Sequence, residues 1–305
     1  MAVLRLIRFP NLLIVAITQA ILYHHLLLPN FREFGIHPSL SPQLFSIFIL
    51  VTVLLTAGGY VINDLLDSDA DLINKPQKVI IDKSISRQSG VWLYFCSNLM
   101  GFFLALYLAF RVNYVALVNI FPLATAGLFL YSYIFKRRPL VGNFLISFYC
   151  AGVAGIIWFA EREGFADLLR IAPEVGKKIQ LIFITYLFFA FLSTLLRELT
   201  KDMEDFDGDA QVGYQTAPIA WGMEVTRKLA LGCALSLFIM LLFFAYQFYQ
   251  QLVQPWSLAV LFLILVPLVV AMIQLYKAQN KQNYHQVSQL VKWIMFSGLL
   301  LLLFL

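Results

Sequence analysis

Long apolar stretches separated by short polar loops dominate the sequence. A helix that crosses the hydrocarbon core of a bilayer needs about 20 mostly apolar residues. Nine stretches approach this length, at roughly 9–28, 43–63, 90–110, 113–134, 140–160, 178–197, 228–247, 256–276 and 289–305. The pattern predicts an all-α integral membrane protein with nine transmembrane helices.

The composition supports this prediction. Of the 305 residues, 61% are hydrophobic and 13% are charged, whereas soluble domains are about 25% charged. The net charge of +5 comes from cations spread over short loops, so we expect no nucleic-acid partner. No small-residue cleavage site follows residues 1–28, and the first stretch is therefore expected to be a helix and not a signal peptide. The three cysteines lie inside apolar runs and are expected to pack there.

The distribution of lysine and arginine predicts the orientation. Sixteen of the 22 precede the first stretch or follow an even-numbered one, and the other six lie on the opposite side. Cytoplasmic loops of membrane proteins carry the excess of positive charge. We therefore expect the N-terminus and the loops after even-numbered helices to be cytoplasmic, in an inner or plasma membrane.

Acidic residues are concentrated in two short segments, each following an even-numbered stretch. Eleven of the 17 are Asp64, Asp67, Asp69, Asp71, Asp82, Glu198, Asp202, Glu204, Asp205, Asp207 and Asp209. The pairs Asp67/Asp71 and Asp205/Asp209 are offset by the same 138 positions. This predicts one membrane domain, 1–305, built from two four-helix pseudo-repeats (about 9–134 and 140–276) and an extra helix, 289–305.

The spacing within each segment indicates a chemistry. Residues four apart share one face of a helix, so each pair of aspartates would repel unless a cation neutralised it. Mg²⁺ prefers oxygen ligands and binds through one or two carboxylates together with substrate phosphates. No histidine accompanies either segment in sequence, which argues against zinc or non-haem iron. A single acidic loop could be merely solvated, but its duplication favours metal-bridged diphosphate binding.

The two segments resemble the signatures of the UbiA superfamily of intramembrane prenyltransferases. The first reads Asn63-Asp64-x-x-Asp67-x-x-x-Asp71, and the second reads Asp205-x-x-x-Asp209, followed by Gly213 and Thr216. The run from Tyr131 to Arg137, with Gly142-Asn143 beyond it, is also similar to the family. The likeness covers essentially the whole chain, and it implies a UbiA-like helical bundle with a central cavity capped by two acidic loops.

The resemblance also implies roles for individual residues. The catalytic aspartates would be Asp67, Asp71, Asp205 and Asp209, with Mg²⁺ as the cofactor and a prenyl diphosphate as the donor. One metal site would use Asn63, Asp67 and Asp71, and the other Asp205 and Asp209. Asp64 and Asp202 would be further ligands or would orient the ligands.

Cations on the same face as the acidic segments are candidates for binding the diphosphate. These candidates are Lys75, Lys78, Lys136, Arg137 and Lys201. The alternative is that such cations only set the membrane orientation. Arg197, Glu198 and Lys201 could instead pair with the acids around them and fix the second loop.

The form of the second segment indicates which class of molecule accepts the prenyl group. Arg197-Glu198-x-x-Lys201-Asp202-x-Glu204-Asp205-x-x-Gly208-Asp209 is most similar to the geranylgeranylglyceryl phosphate geranylgeranyltransferases and their bacterial relatives. That subgroup implies geranylgeranyl diphosphate as donor and a lipid-like acceptor. The stretch from Asn74 to Ile80 departs from the Arg-Pro-Leu-x-Ser-Gly form of many members, so an aromatic quinone precursor remains an alternative. A membrane transporter, the alternative of another class, would place its charges near the bilayer midplane.

Overall fold

The computed structural model describes residues 1–74, 76–77, 79–252 and 254–305, and it gives only the backbone of residues 69, 70, 74 and 251. Within these residues the chain forms helices and loops and contains no β-strand. Nine of the described helices are long and apolar enough to cross a membrane. In chain order they are α1 (Phe9–Glu33), α2 (Pro42–Leu66), α3 (Arg87–Arg111), α4 (Ala116–Arg137), α5 (Val141–Ala160), α6 (Pro173–Glu204), α7 (Met223–Gln247), α8 (Pro255–Lys277) and α9 (Lys281–Phe304).

These helices confirm the nine predicted spans, and six short helices accompany them. The short helices are Ala2–Leu6, Ser68–Asn74, Arg162–Ile171, Phe206–Gln211, Ala217–Trp221 and Tyr249–Leu252. The prediction for α6 differs most from the structure when both ends are counted, because the helix begins five residues before the predicted start at 178 and continues seven residues beyond the predicted end at 197. The apolar run stops there, but the following Leu, Glu, Lys and Met are good helix formers. Much of the second acidic segment is therefore helical.

Side-chain caps define where several of the spans begin. The hydroxyl of Ser41 accepts a hydrogen bond from the backbone N–H of Leu44, and Pro42 occupies the first position of α2. Ser86 caps α3 in the same way. Asn280 caps α9 by accepting from the N–H of Asn283 at 3.0 Å. Each cap satisfies a backbone donor that has no partner inside the helix.

The first span is not a regular α-helix. Residues Ile21–Leu27 form a π-helix between two α-helical segments. Within it, Tyr23 is fully buried and its ring stacks on Phe45 of α2 with centroids 3.7 Å apart. Its hydroxyl donates to the carbonyl of Leu40. An apolar run contains no signal for this irregular register, and the sequence did not predict it.

The chain divides into two compact units, residues 1–135 with 155–177, and residues 136–154 with 178–305. In the first unit α2 contacts α1, α3 and α4. An apolar cluster of Leu6, Val61, Ile62, Leu65, Ile80 and Ile81 packs around the end of α2 that carries the first acidic segment. In the second unit α8 contacts both α7 and α9.

Large apolar side chains on the outer faces of the helices are exposed. They include Trp92, Phe110, Leu123, Tyr246, Trp256 and Tyr276, each more than 60% exposed. Such extensive exposure of large apolar side chains is unusual for a soluble monomer, and lipid chains would cover it. With nine apolar spans among the residues that the structure describes, the chain is an integral membrane protein.

Candidate active site

The first acidic segment lies at a break between two helices. α2 ends at Leu66, Asp67 adopts φ −95° and ψ 1°, and the short helix Ser68–Asn74 follows. The N–H of Asp67 donates to the carbonyl of Asn63, and the N–H of Asp71 donates to the carbonyl of Asp67, both at 2.9 Å. Asn63, Asp67 and Asp71 are therefore spaced one helical turn apart through the break. Asp67 is buried and Asp71 is half-buried.

The second acidic segment repeats this local backbone. α6 ends at Glu204, Asp205 adopts φ −96° and ψ 8°, and the short helix Phe206–Gln211 follows. The N–H of Asp205 donates to the carbonyl of Lys201 at 2.8 Å, and the N–H of Asp209 donates to the carbonyl of Asp205 at 3.0 Å. The sequence offset of 138 residues thus corresponds to a duplicated break at the first aspartate of each pair.

Asp64, a candidate metal ligand, is held by an N-terminal cation. The Nη2 of Arg8 lies 2.8 Å from the Oδ1 of Asp64. The guanidinium also lies over the ring of Tyr60 at 4.8 Å from its centroid. Asn11 donates to the hydroxyl of Tyr60 at 3.2 Å. These contacts favour an orienting role for Asp64, because one of its oxygens already accepts from Arg8.

Asp202, the corresponding residue of the second segment, is held by an amide. The Nδ2 of Asn143, on α5, donates to the Oδ2 of Asp202 at 2.8 Å. Asn143 is buried, and its own carbonyl accepts from the hydroxyl of Ser147 at 2.6 Å. Asp64 and Asp202 therefore have different partners although they occupy matching positions 138 residues apart.

A carboxylate organises the cations near the end of α6. The Oε1 of Glu198 lies 2.9 Å from the Nη1 of Arg197, and its Oε2 lies 3.1 Å from the Nζ of Lys201. The side chain of Glu198 is only 13% exposed, and the charge of Lys136 also acts on it. Arg197 and Lys201 thus both contact the neighbouring acid Glu198, which fits the alternative role that the sequence suggests for them. Lys201, a candidate diphosphate ligand, is therefore positioned by Glu198.

The remaining candidate cations differ in what the structure shows. Arg137 lies over the ring of Tyr214 at 4.9 Å from the centroid, and its carbonyl accepts from the N–H of Gln215 at 3.0 Å. Arg137 is thus tied to the loop that follows the second acidic segment. Lys75 and Lys78 lie outside the described residues.

A histidine lies beside the second segment in the structure, although none is near that segment in the sequence. The Nδ1 of His285, on α9, lies 3.0 Å from the Oε1 of Glu204. The two residues are 81 positions apart, so no local motif could reveal the contact. Glu204 immediately precedes Asp205. His285 contacts Glu204, which we did not propose as a metal ligand. The contact therefore gives no support to a zinc site.

The donor atoms of the two segments match the preference of Mg²⁺. All the proposed ligands, Asn63 included, offer oxygen. Among the described residues, no group of three or more His, Cys, Asp or Glu side chains lies close enough to hold a metal by itself. Mg²⁺ usually retains waters and takes only one or two carboxylates plus phosphate oxygens. The residues therefore fit magnesium that is bound together with a phosphorylated substrate.

An apolar cleft lies within the second unit. It is small, about 30 Å³, and its lining comes from α6, α7, α8 and α9, including Tyr186, Phe189, Phe244 and Gly298. A separate polar cavity of about 180 Å³ lies in the first unit, lined by Ser39, Asn113, Tyr114 and Arg162 among others. None of the predicted site residues lines either cavity.

Comparison with known proteins places the chain in a family. The model of the UbiA prenyltransferase family matches residues 34–298. Digeranylgeranylglyceryl phosphate synthase of Methanothermobacter thermautotrophicus is 31% identical over 261 residues, covering 81% of this chain and 80% of the relative.

Solved structures share the fold. One described as digeranylgeranylglyceryl phosphate synthase in membranes is 24% identical, with a TM-score of 0.66, covering 99% of this chain and 96% of that one. A UbiA homolog from Archaeoglobus fulgidus bound to GPP and Mg²⁺ is 14% identical, with a TM-score of 0.58 and 99% of both chains covered. The chain therefore belongs to the UbiA prenyltransferase family, and it is a membrane-embedded prenyltransferase.

Proposed function

We propose that this enzyme transfers a geranylgeranyl group from geranylgeranyl diphosphate to geranylgeranylglyceryl phosphate, with Mg²⁺ as cofactor. The observation that carries the proposal is the duplicated helix break. Asp67 and Asp205 have nearly the same backbone conformation, and each is followed one turn later by a second aspartate, Asp71 or Asp209. The magnesium and the diphosphate are supported by the relative that binds GPP and Mg²⁺. The acceptor is supported by the name that the curated relative carries.

The acidic residues would bind the donor through the metal. Asn63, Asp67 and Asp71 would supply oxygens for one Mg²⁺, and Asp205 and Asp209 for another. When bound, Mg²⁺ would neutralise the negative charge that builds up on the departing diphosphate. Asp64 and Asp202 would keep these ligands oriented through their hydrogen bonds to Arg8 and Asn143.

The cations would bind diphosphate oxygens directly. Lys201 is positioned by the 3.1 Å contact of its Nζ with Glu198, one helical turn before Asp205. Lys136 and Arg137 are carried by the end of α4, and an arginine offers a planar fork of donors to phosphate oxygens. Lys75 and Lys78 remain candidates from the sequence alone.

The apolar spans would protect the reacting carbon from water. The bond from the prenyl C1 to the diphosphate breaks, and its electron pair leaves with the diphosphate. The acceptor hydroxyl oxygen forms the new bond to C1 and releases its proton to a base. Exclusion of water from the site would prevent hydrolysis of the allylic cation as it develops.

We also propose that the N-terminus and both acidic segments face the cytoplasm, because 16 of the 22 lysines and arginines fall on that side. The test uses single cysteines in a variant without the three native ones. A cysteine at the exposed Ser84 should react with a membrane-impermeant maleimide only after cells are opened. One at Lys177 should react in intact cells. The reverse pattern would overturn the orientation.

A panel of acceptors tests the proposed reaction. The purified enzyme in lipid nanodiscs is incubated with geranylgeranyl diphosphate, Mg²⁺ and either geranylgeranylglyceryl phosphate or 4-hydroxybenzoate. Mass spectrometry of the products should show one added geranylgeranyl group on the glyceryl phosphate lipid and none on the aromatic acid. Transfer to the aromatic acid alone would replace the proposed acceptor with a quinone precursor.

A further inference from the structure

Glu204 is a buried carboxylate at the last position of α6. Its side chain is 6% exposed, and its Oε1 lies 3.0 Å from the Nδ1 of His285. On the other side of the ring, the Nε2 of Gln289 lies 3.3 Å from the Nε2 of His285. Because the amide nitrogen of Gln289 can only donate, the ring nitrogen facing it accepts, and the Nδ1–H donates to Glu204. Gln289, His285 and Glu204 thus form one chain of hydrogen bonds.

Comparison of the two acidic segments shows that Glu204 is not required for the helix break. The matching position, 138 residues earlier, is Leu66, which ends α2 directly before Asp67. The backbone at Asp67 and that at Asp205 are nevertheless nearly the same. An acid at this buried position is costly unless it has a hydrogen-bonding partner. Its presence therefore requires an explanation other than local folding.

We propose that His285 is a positioning residue for Asp205, acting through Glu204. This inference rests on the proposed function of Asp205 as a ligand of magnesium. The hydrogen bond joins the first turns of α9 to the residue that precedes Asp205. It restricts rotation of the backbone at the helix break and so fixes the direction of the Asp205 carboxylate. Groups that orient metal ligands in this way commonly change metal affinity by about 10-fold to 100-fold.

The matching position of the first segment is Leu66, whose apolar side chain cannot make such a hydrogen bond. In the first segment Arg8 instead holds Asp64, and Asp64 lies two residues before Leu66. The two segments would therefore be fixed by different means. The first depends on a cation near the N-terminus, and the second on the C-terminal span.

Four variants test this role. His285→Ala removes the donor, whereas His285→Asn places an amide N–H near the position of Nδ1. A double variant combines His285→Ala with Glu204→Leu, which places at position 204 the leucine that the first segment has at position 66. Gln282→Ala, at an exposed position on the same helix, is the matched control. Each protein is assayed for prenyl transfer across a range of Mg²⁺ concentrations, and for hydrogen exchange of the backbone amides in 205–211.

We expect His285→Ala to raise the Mg²⁺ concentration for half-maximal activity by about 10-fold and to accelerate exchange in 205–211. His285→Asn should return both values to within about threefold of wild type. The double variant should exchange more slowly than His285→Ala, because a leucine at position 204 needs no hydrogen-bond donor at this buried site. Gln282→Ala should match wild type.

An unchanged Mg²⁺ requirement and unchanged exchange in His285→Ala would overturn the proposal. So would a loss that His285→Asn fails to restore, because the loss would then be due to packing. If wild type itself transfers no prenyl group, the proposed function fails. The exchange measurements, made without substrate, would still decide whether His285 fixes the helix break.

Discussion

The guanidinium of Arg8 donates to the carboxylate of Asp64 across 56 residues of sequence, with 2.8 Å between Nη2 and Oδ1. Arg8 adopts a left-handed backbone conformation with φ 50°, which an arginine rarely adopts unless surrounding contacts hold it there. Its guanidinium also packs on Tyr60. A residue that the charge pattern explained as an orientation signal is therefore part of the structure around the first acidic segment.

Replacement of Arg8 by alanine should reduce prenyl transfer. Asp64 would lose a charge-assisted hydrogen bond, but because the Arg8 side chain is 40% exposed, the effect should be modest, roughly fivefold, or about 1 kcal/mol. Arg5→Ala, at an exposed position three residues earlier, is the control and should match wild type. Equal activity of the two variants would show that the ion pair does not orient Asp64.

Glu161 should make the stability of the protein depend on pH. Its carboxylate is fully buried and accepts from the N–H groups of Ser39 and Leu40 at 2.8 Å and 2.9 Å. Burial raises the pKa of Glu161 above its ordinary value, and the two N–H donors reverse only part of that shift. The folded protein therefore holds this proton more tightly than the unfolded chain does.

The resulting contribution to stability is fully present below the unfolded-state pKa of about 4.3 and is lost as the pH rises through the higher folded-state pKa. We expect the Tm of wild type minus the Tm of Glu161→Gln to decrease from pH ~4 to pH ~7, measured by thermal unfolding in detergent. Glu163→Gln, whose side chain is 74% exposed, should show no such trend. A difference that increases with pH would contradict the raised pKa.

Gly298 should tolerate no larger side chain. A Cβ at this position of α9 would overlap the ring of Phe189 on α6. Gly298→Ala should therefore destabilise the protein by about 1–3 kcal/mol, seen as a lower Tm in detergent. Phe189→Leu should restore part of the loss in the double variant.

Gly232 provides a matched control for this prediction. It lies inside α7, and a Cβ there would meet nothing within 4 Å. Gly232→Ala should leave stability unchanged or raise it by up to about 1 kcal/mol, because alanine favours helix more than glycine does. Equal effects of the two substitutions would show that the contact with Phe189 is unimportant.

The sequence predicted the features that depend on local patterns. Apolar runs about 20 residues long predicted every span, and the spacing of Asp67, Asp71, Asp205 and Asp209 predicted a duplicated acidic structure. The helix at the second segment extends further than its apolar run, because polar residues with high helix propensity continue it.

Contacts between residues distant in sequence could not be predicted. Arg8 meets Asp64, Asn143 meets Asp202 and His285 meets Glu204 across 56, 59 and 81 residues. Each pair depends on how the helices pack, and nothing in the local sequence of either partner indicates it. The π-helix Ile21–Leu27 is likewise hidden within an ordinary apolar run.

The most direct test of magnesium-dependent prenyl transfer compares two aspartates two residues apart. Asp205 lies at the helix break and is proposed to bind the metal, whereas Asp207 is exposed. The purified enzyme is incubated with geranylgeranyl diphosphate and geranylgeranylglyceryl phosphate, with Mg²⁺ or with EDTA, and the product is measured by mass spectrometry. We expect wild type and Asp207→Asn to form product only with Mg²⁺, and Asp205→Asn to be slower by about 100-fold while keeping its Tm. Product formation in EDTA, or full activity of Asp205→Asn, would contradict the account.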